Sequence, residues 1–408
     1  MSDEPDAVPN DDGAEPGTNT RLVEAGRQRE WTRGPGMTAG IVNPPVWHAS
    51  TIVFDDLAAL EEARRHPDAG LFYGRRGTPT QWALEAALTE LEPGAAGTKL
   101  YPSGVAAVAA ALLTVVKTGD HVLIADTAYE PSRAFADRLL KPLGVSTSYY
   151  PPCGDVRPLV RPNTRAVLIE SPGSLSFEVQ DVPAIVAVAK EHNIATVMDN
   201  TWATPLLFPA IKHGIDFSMQ ALTKYTGGHS DLMMGSVTTT KRWFGRLKTQ
   251  SYLLGYCVGP DDAYLALRGL RTLKLRLDHQ GRTALGIAEW LQTHPAVARV
   301  MHPALPGDPG NTLFKRDFLG SSGLFAFTLK RGQRAHTAAL IDHLAHFGIG
   351  FSWGGYESLI LPVELDGIRT ATTTDSGGQI IRLSIGLEDP ADLIADLDAG
   401  LARYEAQF

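Results

Sequence analysis

The chain has 408 residues, 44% of them hydrophobic and 20% charged, with a formal net charge of −8. Residues 1–20 hold Asp3, Glu4, Asp6, Asp11, Asp12 and Glu15 and no base, and so most of that charge; the other 388 residues hold 39 acids against 37 bases and offer no basic footprint for nucleic acid. No apolar run reaches membrane-spanning length and no secretory signal opens the chain, while two cysteines, Cys153 and Cys257, are too few for a disulfide framework or a zinc site, so a cytoplasmic protein with two buried thiols and no metal is expected.

Residues 1–20, rich in Asp, Pro and Gly, are expected to be disordered. Thr78-Pro79-Thr80-Gln81 reads as a capping box with proline at the first helical position. Ala83, Leu84, Ala87, Leu88 and Leu91 then recur at helical spacing. Tyr101-Pro102-Ser103-Gly104 leads into a helix over Val105–Lys117, stopped by Thr118-Gly119-Asp120. Apolar strands are expected at His121–Asp126, Arg165–Glu170, Ile194–Asp199 and Phe217–Met219, with a helix over Asp181–His192 between the second and third. Continuous apolar strands alternating with helices imply a mostly parallel α/β sheet covered on both faces, whose ligands sit beyond the carboxyl ends of the strands. Tyr129, Ser171, Asp199 and Lys224 all follow or close such ends. After about residue 255 the pattern changes. Helical stretches at 261–275 and 279–293, a strand at Gly323–Lys330, a helix at His336–His346 and a strand at Ile380–Ile385 suggest a smaller C-terminal α+β domain. The expected division is a tail over 1–20, an N-terminal segment over 21–77, a large domain over 78–260 and a small one over 261–408.

Lys224 follows Asp199 by 25 residues and lies among small polar neighbours. A lysine amine can form a Schiff base with an aldehyde cofactor, and a strand-end carboxylate can hold a pyridine nitrogen protonated, so the pair points to pyridoxal phosphate (PLP). Gly104 opens a helix whose free N–H groups suit either a phosphate or close packing. The Tyr129 ring offers a face to a cofactor or to the core. Tyr73-Gly74-Arg75-Arg76-Gly77 suits an anion or a solvated basic turn. Arg382 lies inside the apolar run Ile380-Ile381-Arg382-Leu383 and, if buried, needs an anion; a substrate carboxylate would serve.

Together with Asn43-Pro44-Pro45-Val46, Asp126-Thr127-Ala128-Tyr129-Glu130-Pro131, Glu170-Ser171-Pro172-Gly173-Ser174, Thr223-Lys224-Tyr225, Gly228-His229-Ser230-Asp231 and Ser352-Trp353-Gly354-Gly355-Tyr356-Glu357-Ser358, these segments make the chain resemble the cysteine/methionine-metabolism family of PLP enzymes from about Thr20 to the C-terminus. Thr127–Pro131, Ser174 and Phe351–Ser358 are most similar to the β-lyase branch that acts on L-cystathionine. The resemblance implies the fold type I architecture of the aspartate aminotransferases, with a mostly parallel seven-stranded sheet. It implies that Lys224 carries PLP and moves protons, that Asp199 pairs with the ring nitrogen and that Tyr129 stacks on the ring. It implies further that Gly104, Val105 and Thr223 hold the phosphate, joined by Tyr73 and Arg75 from a neighbouring subunit of a homotetramer built from dimers, that Arg382 binds the substrate carboxylate with backbone near Ser352 and Trp353, and that Arg76 and Tyr252 line the distal end of the substrate. Ala221 stands where many relatives have a phosphate-contacting serine, which disfavours the γ-lyase branch. A γ-lyase, γ-synthase or sulfhydrylase, a cystine lyase, and a non-catalytic PLP-binding regulator are the alternatives.

Overall fold

The computed structural model describes residues 16–33, 38–372 and 378–408. Seven strands form the first sheet: β1 (Gly97–Tyr101), β2 (His121–Ala125), β3 (Ser146–Tyr150), β4 (Thr164–Glu170), β5 (Ala195–Asp199), β6 (Phe217–Ala221) and β7 (Gly235–Thr239), in the order β1-β7-β6-β5-β4-β2-β3. The run from β3 to β6 is parallel, and β7 is antiparallel to both its neighbours. The centre of this sheet is built from strands that read as continuous apolar runs because both faces are covered: Val122, Ile124, Ile169, Val197 and Phe217 have no exposed surface. The Gly104–Val115 helix packs against β6 and β7 with a face of alanines small enough to let it lie close.

A second sheet runs β10-β11-β12-β9-β8, from β8 (Val297–Met301), β9 (Leu324–Leu329), β10 (Phe347–Ile349), β11 (Ser358–Val363) and β12 (Ile380–Ser384). All its pairs are antiparallel except β10–β11. The expected helices at 261–275 and 279–293 turn out to be Pro260–Leu270 and one 21-residue helix, Leu273–Thr293. That helix joins the two cores, since Leu273 and Leu277 belong to the first and Ile287 and Leu291 to the second.

The capping box forms as expected: Gln81 Oε1 accepts the Thr78 N–H at 3.0 Å and the Thr78 hydroxyl at 2.6 Å, and the helix runs Pro79–Leu91. Three expectations need correction. The disordered tail falls outside the described residues up to residue 15, but residues 18–20 open the helix Thr18–Glu24, because Leu22 is buried and Arg271 fastens the Leu22 and Ala25 carbonyls at 2.7 Å each. The helix placed at His336–His346 shrinks to Thr337–Ile341 and gives way to β10. Cys153 and Cys257 are both exposed rather than buried, because each falls on a connection outside the sheets. Among the described residues, no helix is long and apolar enough to cross a membrane.

Candidate active site

Backbone register places Glu170, the last residue of β4, beside Asp199, the last of β5, and Asp199 beside Met219 of β6. Lys224 lies on the turn just past β6. The connection holding Ser352 and Trp353 folds over this edge from the second sheet, and β12 brings Arg382. Gly354 lets that connection approach. Its φ is +84°, and a Cβ there would stand 3.2 Å from the Lys224 carbonyl carbon.

The Lys224 ammonium donates to the Ser352 hydroxyl at 2.6 Å and lies 5.2 Å from the centre of the Trp353 ring. Arg382, 9% exposed, donates from Nη2 to the Ser352 carbonyl at 3.0 Å. Among the described residues, no carboxylate forms an ion pair with it, so the buried guanidinium keeps capacity for an external anion. The Lys224 amine is brought down to about 8 from 10.5, first by burial and then by the positive Arg382, against the pull of Asp199. At pH 7 roughly one such amine in ten is neutral, against roughly one in three thousand at the ordinary value. This is the depression that a proton-accepting lysine needs.

Asp199 Oδ1 accepts the Thr201 N–H at 3.0 Å and the Thr201 hydroxyl at 2.5 Å. The same hydroxyl accepts the Ala221 N–H at 2.9 Å, tying the β5 and β6 ends together. Burial pushes the Asp199 carboxyl up, against those hydrogen bonds and the Lys224 charge. A cationic ring nitrogen is the partner that would offset that burial. Glu170 is pushed well above its usual range by burial and by neighbouring Asp199, while its Oε2 accepts the Tyr129 N–H at 2.6 Å. Tyr129 remains 45% exposed, leaving surface for a flat ligand.

The helix Gly104–Val115 points its N-terminus at the same edge, where a Cβ on Gly104 would stand 2.8 Å from the Ala221 Cβ. The N–H groups of Gly104 and Val105 belong to the first turn, which has no carbonyl of its own to reach. Thr223 stands nearby, but its hydroxyl accepts the Met234 N–H at 3.0 Å and lies 3.2 Å from the Met234 carbonyl, so a phosphate would share it with the backbone. An amine of lowered pKa, a half-buried carboxylate, a partly exposed tyrosine and a helix N-terminus together fit PLP.

Tyr73, Arg75, Arg76 and Tyr252 form a separate group. Arg75 donates to the Tyr252 carbonyl at 2.8 Å, and Arg76 pairs with Asp68 at 2.6 Å and lies 4.3 Å from the Tyr252 ring centre. No hydrogen bond, ion pair or ring contact among the described residues joins this group to Lys224. The sequence reading also missed several supports. They are Thr201, the Ser352 hydroxyl, Glu170, and Arg276, which caps the Tyr225 and Gly269 carbonyls at 2.8 Å each and so anchors the Lys224 turn. Only Thr201 carried a local signal, a hydroxyl two residues after a strand-end aspartate.

The chain is similar over nearly its whole length to proteins of known name. A cystathionine beta-lyase of Escherichia coli (strain K12) is 48% identical over 394 residues, covering 94% of this chain and 98% of that protein. An L-alanine/L-glutamate racemase of Wolbachia pipientis wMel is 41% identical over 394 residues, covering 94% and 96%. The crystal structure of a cystathionine gamma synthase from Xanthomonas oryzae pv. oryzae, in complex with aminoacrylate and cysteine, superposes with a TM-score of 0.87 at 32% identity, over 97% of this chain and all of that one. Residues 19–402 match the family described as Cys/Met metabolism PLP-dependent enzyme, and with the lysine, carboxylate, aromatic face and helix N-terminus arranged as above, the chain belongs to that family.

Proposed function

We propose that the protein is a carbon–sulfur β-lyase that cleaves L-cystathionine to L-homocysteine, pyruvate and ammonia. The observation that carries the reading is Lys224, its amine lowered to about 8 and held between Asp199, Arg382 and the Ser352 hydroxyl. PLP, when bound, supplies the electron sink that makes the α-proton of an amino acid acidic. Lys224 would attach it, with Asp199 at its ring nitrogen, Tyr129 on its face and Gly104, Val105 and Thr223 at its phosphate. Arg382 receives the substrate α-carboxylate and turns the Cα–H bond toward Lys224. Once its amine is free, Lys224 accepts that proton as a neutral base. Homocysteine leaves from Cβ as its thiolate, and water completes release of pyruvate and ammonia.

The same proton abstraction begins a racemisation, and one relative is named a racemase. A single assay separates the readings. Purified holoenzyme with L-cystathionine is expected to yield pyruvate and homocysteine in equal amounts. 2-Oxobutyrate from the same substrate identifies γ-elimination, and D-alanine from L-alanine without keto acid identifies a racemase.

Tyr73 and Arg75 act in this reading on a neighbouring subunit's phosphate, with Arg76 and Tyr252 at the distal end of the substrate. Ile41, Val42, Val53 and Leu57, each more than half exposed along 21–77, support it. The assembly is a cytoplasmic homotetramer of dimers serving methionine biosynthesis by transsulfuration, each chain divided into large and small domains near residue 260. Mixing Lys224→Ala with Arg75→Ala protomers is expected to recover up to about a quarter of wild-type activity, because some hybrid sites receive both intact groups. No recovery after verified subunit exchange refutes the shared site.

A further inference from the structure

Asp126 follows β2 directly, three residues before Tyr129, and has no exposed surface. Its carboxylate is surrounded by donors. Oδ1 accepts from Arg133 Nη1 at 2.9 Å, the Thr370 N–H at 2.9 Å and the Thr370 hydroxyl at 3.1 Å. Oδ2 accepts the Thr372 N–H at 2.9 Å and the Thr372 hydroxyl at 2.6 Å. Four of these five donors come from the connection that follows β11, on the second sheet. Arg369, on the same connection, reaches back to the Asp126 carbonyl and the Ser174 carbonyl at 2.6 Å each. Arg133 closes the cluster by donating to the Thr370 hydroxyl at 3.0 Å, with its guanidinium carbon 3.7 Å from the Tyr149 ring centre.

The placement gives this cluster a consequence for chemistry. One side of it is the turn that ends in Tyr129. The other side is the extension of β11, whose Leu361 is the register partner of Arg382 on β12. Tyr129 therefore follows one of the two segments fastened together at Asp126, and Arg382 lies on the strand paired with β11, from which the other segment extends. A buried aspartate–arginine pair adds little net stability over apolar packing, so its use here is geometric. Burial by itself would raise the Asp126 carboxyl, but the Thr372 hydroxyl, the Thr370 and Ala371 N–H groups and Arg133 bring it to about 2, and it stays ionised at working pH.

We propose that Asp126 is a positioning residue of the substrate site, which by binding Thr370 and Thr372 locks the β11 extension to the Tyr129 turn and sets the distance from the Tyr129 ring to the Arg382 guanidinium for an α-amino carboxylate. The inference rests on the roles given to Tyr129 and Arg382 above.

The test removes the hydroxyl donors and leaves both charges in place. Holoenzyme carrying Thr370→Val with Thr372→Val is compared with Thr370→Ser with Thr372→Ser, Arg382→Lys and wild type. Four quantities are read: kcat and KM for L-cystathionine, glycine binding by the change in cofactor absorbance, and backbone hydrogen exchange over 365–372. The valine pair is expected to raise KM and weaken glycine binding about tenfold, with kcat within about twofold, for three lost hydrogen bonds to charged groups, two to Asp126 and one from Arg133. The serine pair restores both values, and exchange over 365–372 speeds up in the valine pair alone. Faster exchange with KM and glycine affinity unchanged, while Arg382→Lys loses glycine, shows a purely structural cluster and overturns the proposal. Unchanged glycine affinity in Arg382→Lys as well overturns the carboxylate role of Arg382, and the proposal with it.

Discussion

Lys224→Ala is expected to lower turnover of L-cystathionine by about four orders of magnitude or more, because in the proposed reading one amine serves both as covalent anchor and as proton carrier. The fold should survive. Lys224 is a half-buried cation beside a second one, Arg382, and its removal relieves like-charge repulsion along with a desolvation cost. The melting temperature of the cofactor-free protein should therefore hold or rise. Borohydride reduction followed by intact-mass measurement gives an activity-independent check: the wild type gains a covalently trapped cofactor and the variant does not. A variant that kept wild-type turnover, or that still trapped cofactor, would place the reactive amine elsewhere.

The parts of the site that were legible in the sequence are those whose signal is local. Asp199 closes an apolar run, Lys224 sits in a polar turn soon after the next one, and Arg382 interrupts a third. The parallel α/β core was readable for the same reason, since strands covered on both faces are apolar throughout. Strands outside that pattern went unread. β3 is half-buried and polar (Ser146-Thr147-Ser148-Tyr149-Tyr150), β7 is built from small residues (Gly235-Ser236-Val237-Thr238-Thr239), and β1 contains Lys99, which is buried only because Glu85 pairs with it at 2.6 Å. The supporting contacts lie farther beyond local reading. Ser352 reaches Lys224 across 128 positions, and Thr372 reaches Asp126 across 246. Neither partner carries a mark in its own neighbourhood, because the pairing is created by how the second sheet closes over the first. The exposed cysteines belong to the same class: an average burial tendency says nothing about which connection a residue falls on.

Arg382 has two jobs in this geometry, and two substitutions separate them. As a planar fork it can hold a carboxylate through two parallel N–H···O bonds; as a charge it helps bring the Lys224 amine down to about 8. Arg382→Lys keeps the charge and loses the fork, so kcat/KM for L-cystathionine should fall by ~3 kcal/mol, about two orders of magnitude, on the scale of a buried charge pair broken on one side. The pH midpoint for capture of the cofactor aldehyde by cofactor-free protein, which requires a neutral Lys224, should stay near 8 in that variant. Arg382→Met loses both. Removing a nearby positive charge makes the protonated amine easier to hold, so the Lys224 midpoint moves upward, and slower capture at pH 7 follows directly. Burial remains the larger cause of the depression, so the midpoint should stop short of 10.5. An Arg382→Lys enzyme with normal kcat/KM would remove the carboxylate role, and an Arg382→Met protein whose midpoint stayed at 8 would show that burial alone tunes Lys224.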